Sequence, residues 1–192
     1  MEFLLDIQQP FRYNQTMNRE IADALADSMR GFRLPRYSEI PDMGLYLEQA
    51  AKYVNRAIRP LGFEDVTGSM VRNYVKLGLI ANPVRKQYSA AQLAHLIVLA
   101  LLKQVTNLEN ISSLFQLLNG RTDYTVQVAY DYFCDELENV LYFRFGLRDS
   151  TAELGVTSTL EKEMLRSTVT AVSNIVYLNC GFRILADSGE PK

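Results

Sequence analysis

Apolar side chains recur along this chain mostly at three- and four-residue spacing, which marks amphipathic helices rather than strands. Ile21, Leu25 and Met29 form the first such run and predict a helix over 16–30 that stops at Gly31. Leu34–Pro41 breaks the pattern, because Pro35 and Pro41 force an extended path. That connector still carries Leu34, Tyr37 and Ile40, so it is expected to pack. Leu47, Ala50, Ala51, Val54 and Ile58 predict a helix over 45–58, closed by Pro60 and Gly62. Between Thr67 as N-cap and Gly78 as stop, Val71 and Val75 lie one turn apart and predict a short helix. Residues 81–88 read as a small loop or two-stranded wing, in which Pro83 confines any pairing to a short edge.

Ser89 and Gln92 form a capping box at the mouth of Ala90–Val105, a segment apolar on most sides. Only Gln92, His95 and Lys103 mark a polar stripe there, so this helix is expected to be the buried strut of the fold. Thr106–Glu109 reads as a second capping box, opening a helix to about Asn119 before Gly120. Tyr124–Phe145 reads as a long helix rich in aromatic and acidic residues. Ser158–Glu161 reads as a third capping box before a helix over 159–178, and the polar tail 188–192 is expected to fray. The expected class is all-α with at most one small β-hairpin.

The polar positions add a second layer. Ser69, Arg72, Asn73 and Lys76 fall at i, i+3, i+4 and i+7, a single face opposite Val71 and Val75. Such a face suits a polyanion, and it equally suits solvent. Net charge is only −2, yet its distribution is uneven. Residues 46–88 hold seven Lys/Arg against three acids, whereas residues 106–192 hold seven against twelve. This asymmetry points to one basic surface on an acidic body. Asp131, Asp135 and Glu138, at i, i+4 and i+7, read as the wet face of a helix, with a weak divalent-cation site as the alternative.

Composition changes the picture little. Apolar content of 48% and charged content of 22% fit an ordinary globular chain of one or two small domains. No secretory h-region is expected, since the first ten residues include Glu2 and Asp6. No run is expected to supply the roughly 18 apolar residues of a membrane span. Cys134 and Cys180 read as buried free thiols of a reducing cytosol, which implies a cytoplasmic protein. His95 is the single histidine, which excludes a multi-histidine metal site and suggests a half-buried structural role. No phosphate-binding glycine loop, dinucleotide fingerprint or nucleophile elbow occurs. No catalytic residue, metal or cofactor is therefore expected, and the chain reads as a non-enzyme.

Helix, helix, short basic wing and apolar helix is the order of a MerR-type winged helix-turn-helix. Met70–Ile80 resembles the MerR recognition helix, and Lys86–Leu93 resembles the stretch that leaves its wing. Thr106–Ile111 is similar to the start of the helix that follows. Leu34–Gln49 with Met70–Lys76 also resembles a bacterial family built on a domain of unknown function with a MerR-like core. The pattern departs from MerR in a longer turn at 59–66, in Asn73 where an aromatic stands, and in a shorter wing. No simple heptad repeat is expected to follow.

The resemblance implies a winged helix-turn-helix over 45–119, between an N-terminal helix and connector at 1–44 and a C-terminal helical region at 120–192. It implies double-stranded DNA as partner. Arg72 and Lys76 would meet phosphate or guanine, Ser69 and Asn73 phosphate or a base edge, and Arg85 and Lys86 flanking phosphate or the minor groove. Tyr74 is either a core residue or a phosphate donor. One short helix implies a homodimer on a two-fold site. The alternative keeps the fold as a protein-interaction module without DNA. No small-molecule effector can be named.

Overall fold

The computed structural model describes residues 19–119, 125–152 and 159–187. Expectations for the helix start at Thr16, the stop at Gly120, the helix start at Tyr124, Ser158 of the third capping box and the tail 188–192 lie outside these residues. Helices dominate: α1 (Arg19–Met29), α2 (Leu47–Ile58), α3 (Gly68–Lys76), α4 (Ala90–Leu102), α5 (Leu108–Asn119), α6 (Val126–Arg144) and α7 (Leu160–Asp187). Two short strands, β1 (Leu45–Tyr46) and β2 (Gln87–Tyr88), pair antiparallel with Leu45 opposite Tyr88 and Tyr46 opposite Gln87. The all-α reading with a small sheet therefore holds.

Several boundaries differ from the sequence expectation, each for a local reason. Residues 45–46 are extended rather than helical, because the Gln49 side-chain oxygen accepts the Tyr46 amide at 3.0 Å and starts the helix two residues later. The second box slips by one residue: the Asn107 side chain, not Thr106, accepts the Asn110 amide at 2.8 Å. Thr159 accepts the Lys162 amide at the start of α7, which runs past Leu178 to Asp187. The Ser89–Gln92 box forms as expected.

One hydrophobic cluster joins Leu25 and Met29 of α1 to Val172 and Cys180 of α7, passing through α4. Leu93, Ile97, Leu99 and Leu101 of α4 are fully buried, so α4 is the central strut. Helices α6 and α7 run parallel, since Glu136 meets Arg166 at 3.2 Å and Phe145 meets the Tyr177 ring at 5.2 Å. The described part of the connection, residues 146–152, turns back along α6. Asn139 guides it, its amide nitrogen donating to the Ala152 carbonyl and its oxygen accepting the Ala152 amide, both at 2.9 Å.

The acidic stripe of α6 corrects the sequence reading. Arg36 of the connector forks onto both Glu138 oxygens at 2.6 and 2.7 Å and reaches Asp135 at 2.8 Å. Glu138 also accepts the Leu34 amide, and Asp131 accepts the Tyr37 amide at 2.8 Å. The proline-locked connector exposes backbone donors that no helix or sheet satisfies, and these carboxylates satisfy them. The stripe is therefore more than a wet face: Asp135 stays half-exposed, but all three carboxylates hold the connector.

One helix among the described residues, α7, is long and apolar enough by length and composition to cross a membrane, contrary to the sequence expectation. Leu165, Val169, Val172, Val176 and Cys180 give it a side buried against the protein body. Both cysteines are buried and free, and burial pushes the Cys134 thiol up to about 12.

Candidate functional site

Helix α3 is positioned from both ends. At its start, Thr67 accepts the Met70 amide at 3.2 Å, and the Ser69 hydroxyl lies 3.0 Å from that of Thr67. Just before it, Asn55 of α2 grips the backbone of Val66, donating to its carbonyl at 2.9 Å and accepting its amide at 2.7 Å. Asn55 is buried, and its two bonds fix the chain that leaves Gly62 and enters α3. Gly68 allows the close approach of α2: a Cβ there would lie 2.6 Å from a Glu48 carboxylate oxygen and 3.2 Å from Leu47. That carboxylate sits at the positive end of the α3 dipole. At its end, Gly78 takes φ +72, and the Leu79 and Ile80 amides both return to the Tyr74 carbonyl.

Val71 and Tyr74 point into the core with Leu79 and Ile80 behind them. Tyr74 is 2% exposed and its hydroxyl is buried without a hydrogen-bond partner among the described residues, so it belongs to the core and not to a ligand-facing surface. Lys103 lies 6.0 Å above its ring. Ser69, Arg72, Asn73 and Lys76 all face outward and are exposed. Among the described residues, Arg72 and Lys76 form no ion pair.

The hairpin beside α3 is tighter than a loop. Val84 pairs with Gln87 across a two-residue turn, closed by the Gln87 amide on the Val84 carbonyl at 2.9 Å. Its central residues, Arg85 and Lys86, have φ +50 and +64, the geometry of a type I′ turn. Both are exposed and form no ion pair among the described residues. β2 follows this turn and pairs with β1 in a two-stranded sheet, to which Val84 adds only its single bridge to Gln87. The Gln92 side chain ties the base of the hairpin to α4, donating to the Ala81 carbonyl at 2.7 Å while accepting the Ser89 amide. Arg72 is close enough that its charge opposes the upward push of burial on the Tyr88 phenol. Arg72 of α3 and Tyr88 at the base of the cationic hairpin are therefore neighbours, and this corner is the candidate site.

Six of the seven sequence candidates, all but Tyr74, are thus on the surface. The positioning residues were missed. Asn55 carried one usable signal, a polar side chain four residues after Ala51 on the buried side of α2. Gln92 reads in the sequence as a cap and as part of a polar stripe, and neither reading points to the hairpin. His95 is half-buried with its ring 5.8 Å from Phe115, and burial holds its imidazole below the ordinary value. Among the described residues no group of three or more His, Cys, Asp or Glu is placed to hold a metal ion. What the corner offers chemically is amide donors and cations unpaired among the described residues, suited to phosphate or to base edges.

Residues 35–133 match a family model described as a domain of unknown function (DUF1836). The match takes in the connector, both strands, α2 to α5 and the first two turns of α6. No curated protein and no solved structure matches the chain.

Proposed function

This chain belongs to the DUF1836 family, and we propose, from the side chains on its surface, that it is a DNA-binding transcriptional regulator. It reads duplex DNA with a MerR-like winged helix-turn-helix, in which α2 and α3 are the helix pair and the Val84–Tyr88 hairpin is the wing. The observation that carries this reading is the corner where Arg72, Lys76, Arg85 and Lys86 stand exposed with no ion pair among the described residues. Cations left free on a protein of net charge −2 are available to displace counterions from a phosphate backbone. The left-handed backbone at Arg85 and Lys86 supports it, since such conformations in non-glycine residues cost energy and collect at functional sites.

In this reading Arg72 forks onto guanine or phosphate, Asn73 reads a base edge, and Ser69 and Lys76 hold phosphate. A helix of nine residues makes few base contacts, so the chain works as a homodimer on a two-fold site. No catalysis and no cofactor are assigned to it, and its place is the cytoplasm. The connection at 59–66 departs from the tight MerR turn between the helix pair, and the shorter wing at 82–87 reaches less far along a backbone.

Salt dependence tests the reading. Binding to mixed-sequence duplex should weaken steeply as salt rises, and Arg72→Ala and Lys86→Ala should each lower the log–log slope by about one. Absence of any salt-dependent binding by the wild type at low ionic strength rejects it.

A second reading keeps the winged fold for protein contact. Met43, Tyr46 and Val84 favour it, being 78%, 55% and 75% exposed around the same hairpin. Under that reading the chain ignores duplex DNA at every salt concentration.

A further inference from the structure

We propose that the outward side of α7 is the seam on which a second copy of this chain packs. Its inward side is already occupied, with Leu165, Val169, Val172, Val176 and Cys180 buried against the body. On the other side Met164, Ala171, Ile175, Leu178, Phe182 and Leu185 recur, with Thr168, at alternating four- and three-residue steps. That spacing keeps one stripe facing a partner helix along its whole length. Phe182 is 67% exposed, Leu178 48% and Met164 44%, while Thr168, Ala171 and Ile175 between them are partly buried, Ile175 against the core, so the stripe is open mainly at its two ends.

Charge and area both favour a second copy as the occupant. From Ser167 to Phe182 the sequence contains no Asp, Glu, Lys or Arg. A two-fold contact presents the same patch twice, so a patch must complement itself, and an uncharged apolar stripe does so without opposing like charges. Met164 to Leu185 spans about 32 Å at about 1.5 Å per residue. Half the water-accessible surface of a bare helix that long is roughly 700 Å², an upper bound here because Thr168, Ala171 and Ile175 are partly buried, against the roughly 800 Å² each partner gives to a standard interface. Gly181 adds room for close approach, since a Cβ there would meet nothing within 4 Å.

A bilayer is the competing occupant by length and composition alone. Geometry disfavours it, because α7 is fastened to the body by polar contacts that a spanning helix would have to abandon. Arg166 pairs with the buried Glu136 at 3.2 Å, and the Arg144 guanidinium lies 4.2 Å from the centre of the Tyr177 ring. Beside the seam, Arg183 near the C-terminal end of α7 comes within 3.9 Å of where a Gly62 Cβ would stand, in the turn that feeds α3. Two copies joined on α7 would hold two α3 faces in one assembly, a use that rests on the function proposed above. The seam itself rests on α7 alone.

Sedimentation of the full chain at micromolar concentration tests it. The wild type should be a dimer, and Leu178→Asp with Phe182→Asp should raise its dissociation constant by on the order of 100-fold or more. Leu178→Ala, too mild to unfold a helix, should raise it by on the order of 10-fold. The proposal is overturned by a monomeric wild type, or by a dimer that neither variant weakens. It is also overturned if the wild type fails to self-associate and instead binds phosphatidylcholine vesicles through Phe182. The duplex titration answers the DNA reading separately: a dimer lost with Phe182→Asp keeps the seam whether or not DNA is bound.

Discussion

Helices α3 and α6 carry polar stripes that look alike in sequence and behave in opposite ways. Both space their charged and polar residues by three, four and seven positions, and both lie opposite an apolar face. On α6 the stripe is used up within the chain: Glu138 and Asp135 hold Arg36, and Glu138 and Asp131 accept connector amides. On α3 the stripe faces outward, its two cations unpaired among the described residues. Helical periodicity says which residues share a face. It does not say whether another part of the same chain has come to sit on that face.

The difference can be broken most forcefully at Arg36. Its side chain is 27% exposed and that of Glu138 only 12%, so Arg36→Ala leaves a largely buried carboxylate with a single backbone donor. Denaturant unfolding should show a loss of about 2–4 kcal/mol, somewhat below that of a fully buried pair because water reaches one side. Adding Glu138→Gln should restore part of it, and a loss under about 0.5 kcal/mol would mean the connector is not held by this stripe.

A smaller effect is expected where α3 is merely positioned. Asn55→Ala strips two bonds from the buried Val66 backbone and should cost about 2 kcal/mol in the same measurement. It should weaken duplex binding as well, although Asn55 itself is buried and cannot touch DNA. The least effect on stability belongs to the α3 stripe. Arg72→Ala with Lys76→Ala should change unfolding free energy by less than about 0.5 kcal/mol while lowering duplex affinity. A large destabilisation there would show that these cations serve the fold, as Arg36 does.

Much of the fold was legible. Thr67, Gly78, Ser89 and Gln92 mark helix ends through bonds that a side chain makes to its own neighbours, so their signals are local. The shift from Thr106 to Asn107 shows the limit of that locality: two adjacent residues both able to cap, with the chain's approach choosing between them. Strand β1 was illegible because its partner lies some forty residues away, and two residues are too few to show a period. The outward side of α7 shows little in the sequence for a related reason: alanine and threonine stand there beside isoleucine, leucine and phenylalanine, and only the burial of the other side separates the two.

The candidate site divides the same way. That Ser69, Arg72, Asn73 and Lys76 share a face follows from 3.6 residues per turn, and no tertiary contact was needed to know it. That Tyr74 leaves that company follows from packing, since its ring is drawn under α4 with Leu79 and Ile80. By itself, then, the sequence determined the helices, their caps, the buried strut and the uneven placement of charge, all of which depend on residues close along the chain. The tertiary structure alone decided which polar stripe is occupied and which is free, and where the cationic hairpin stands beside α3. Those outcomes depend on segments tens of residues apart meeting through a few directed bonds, and no local pattern records such a meeting.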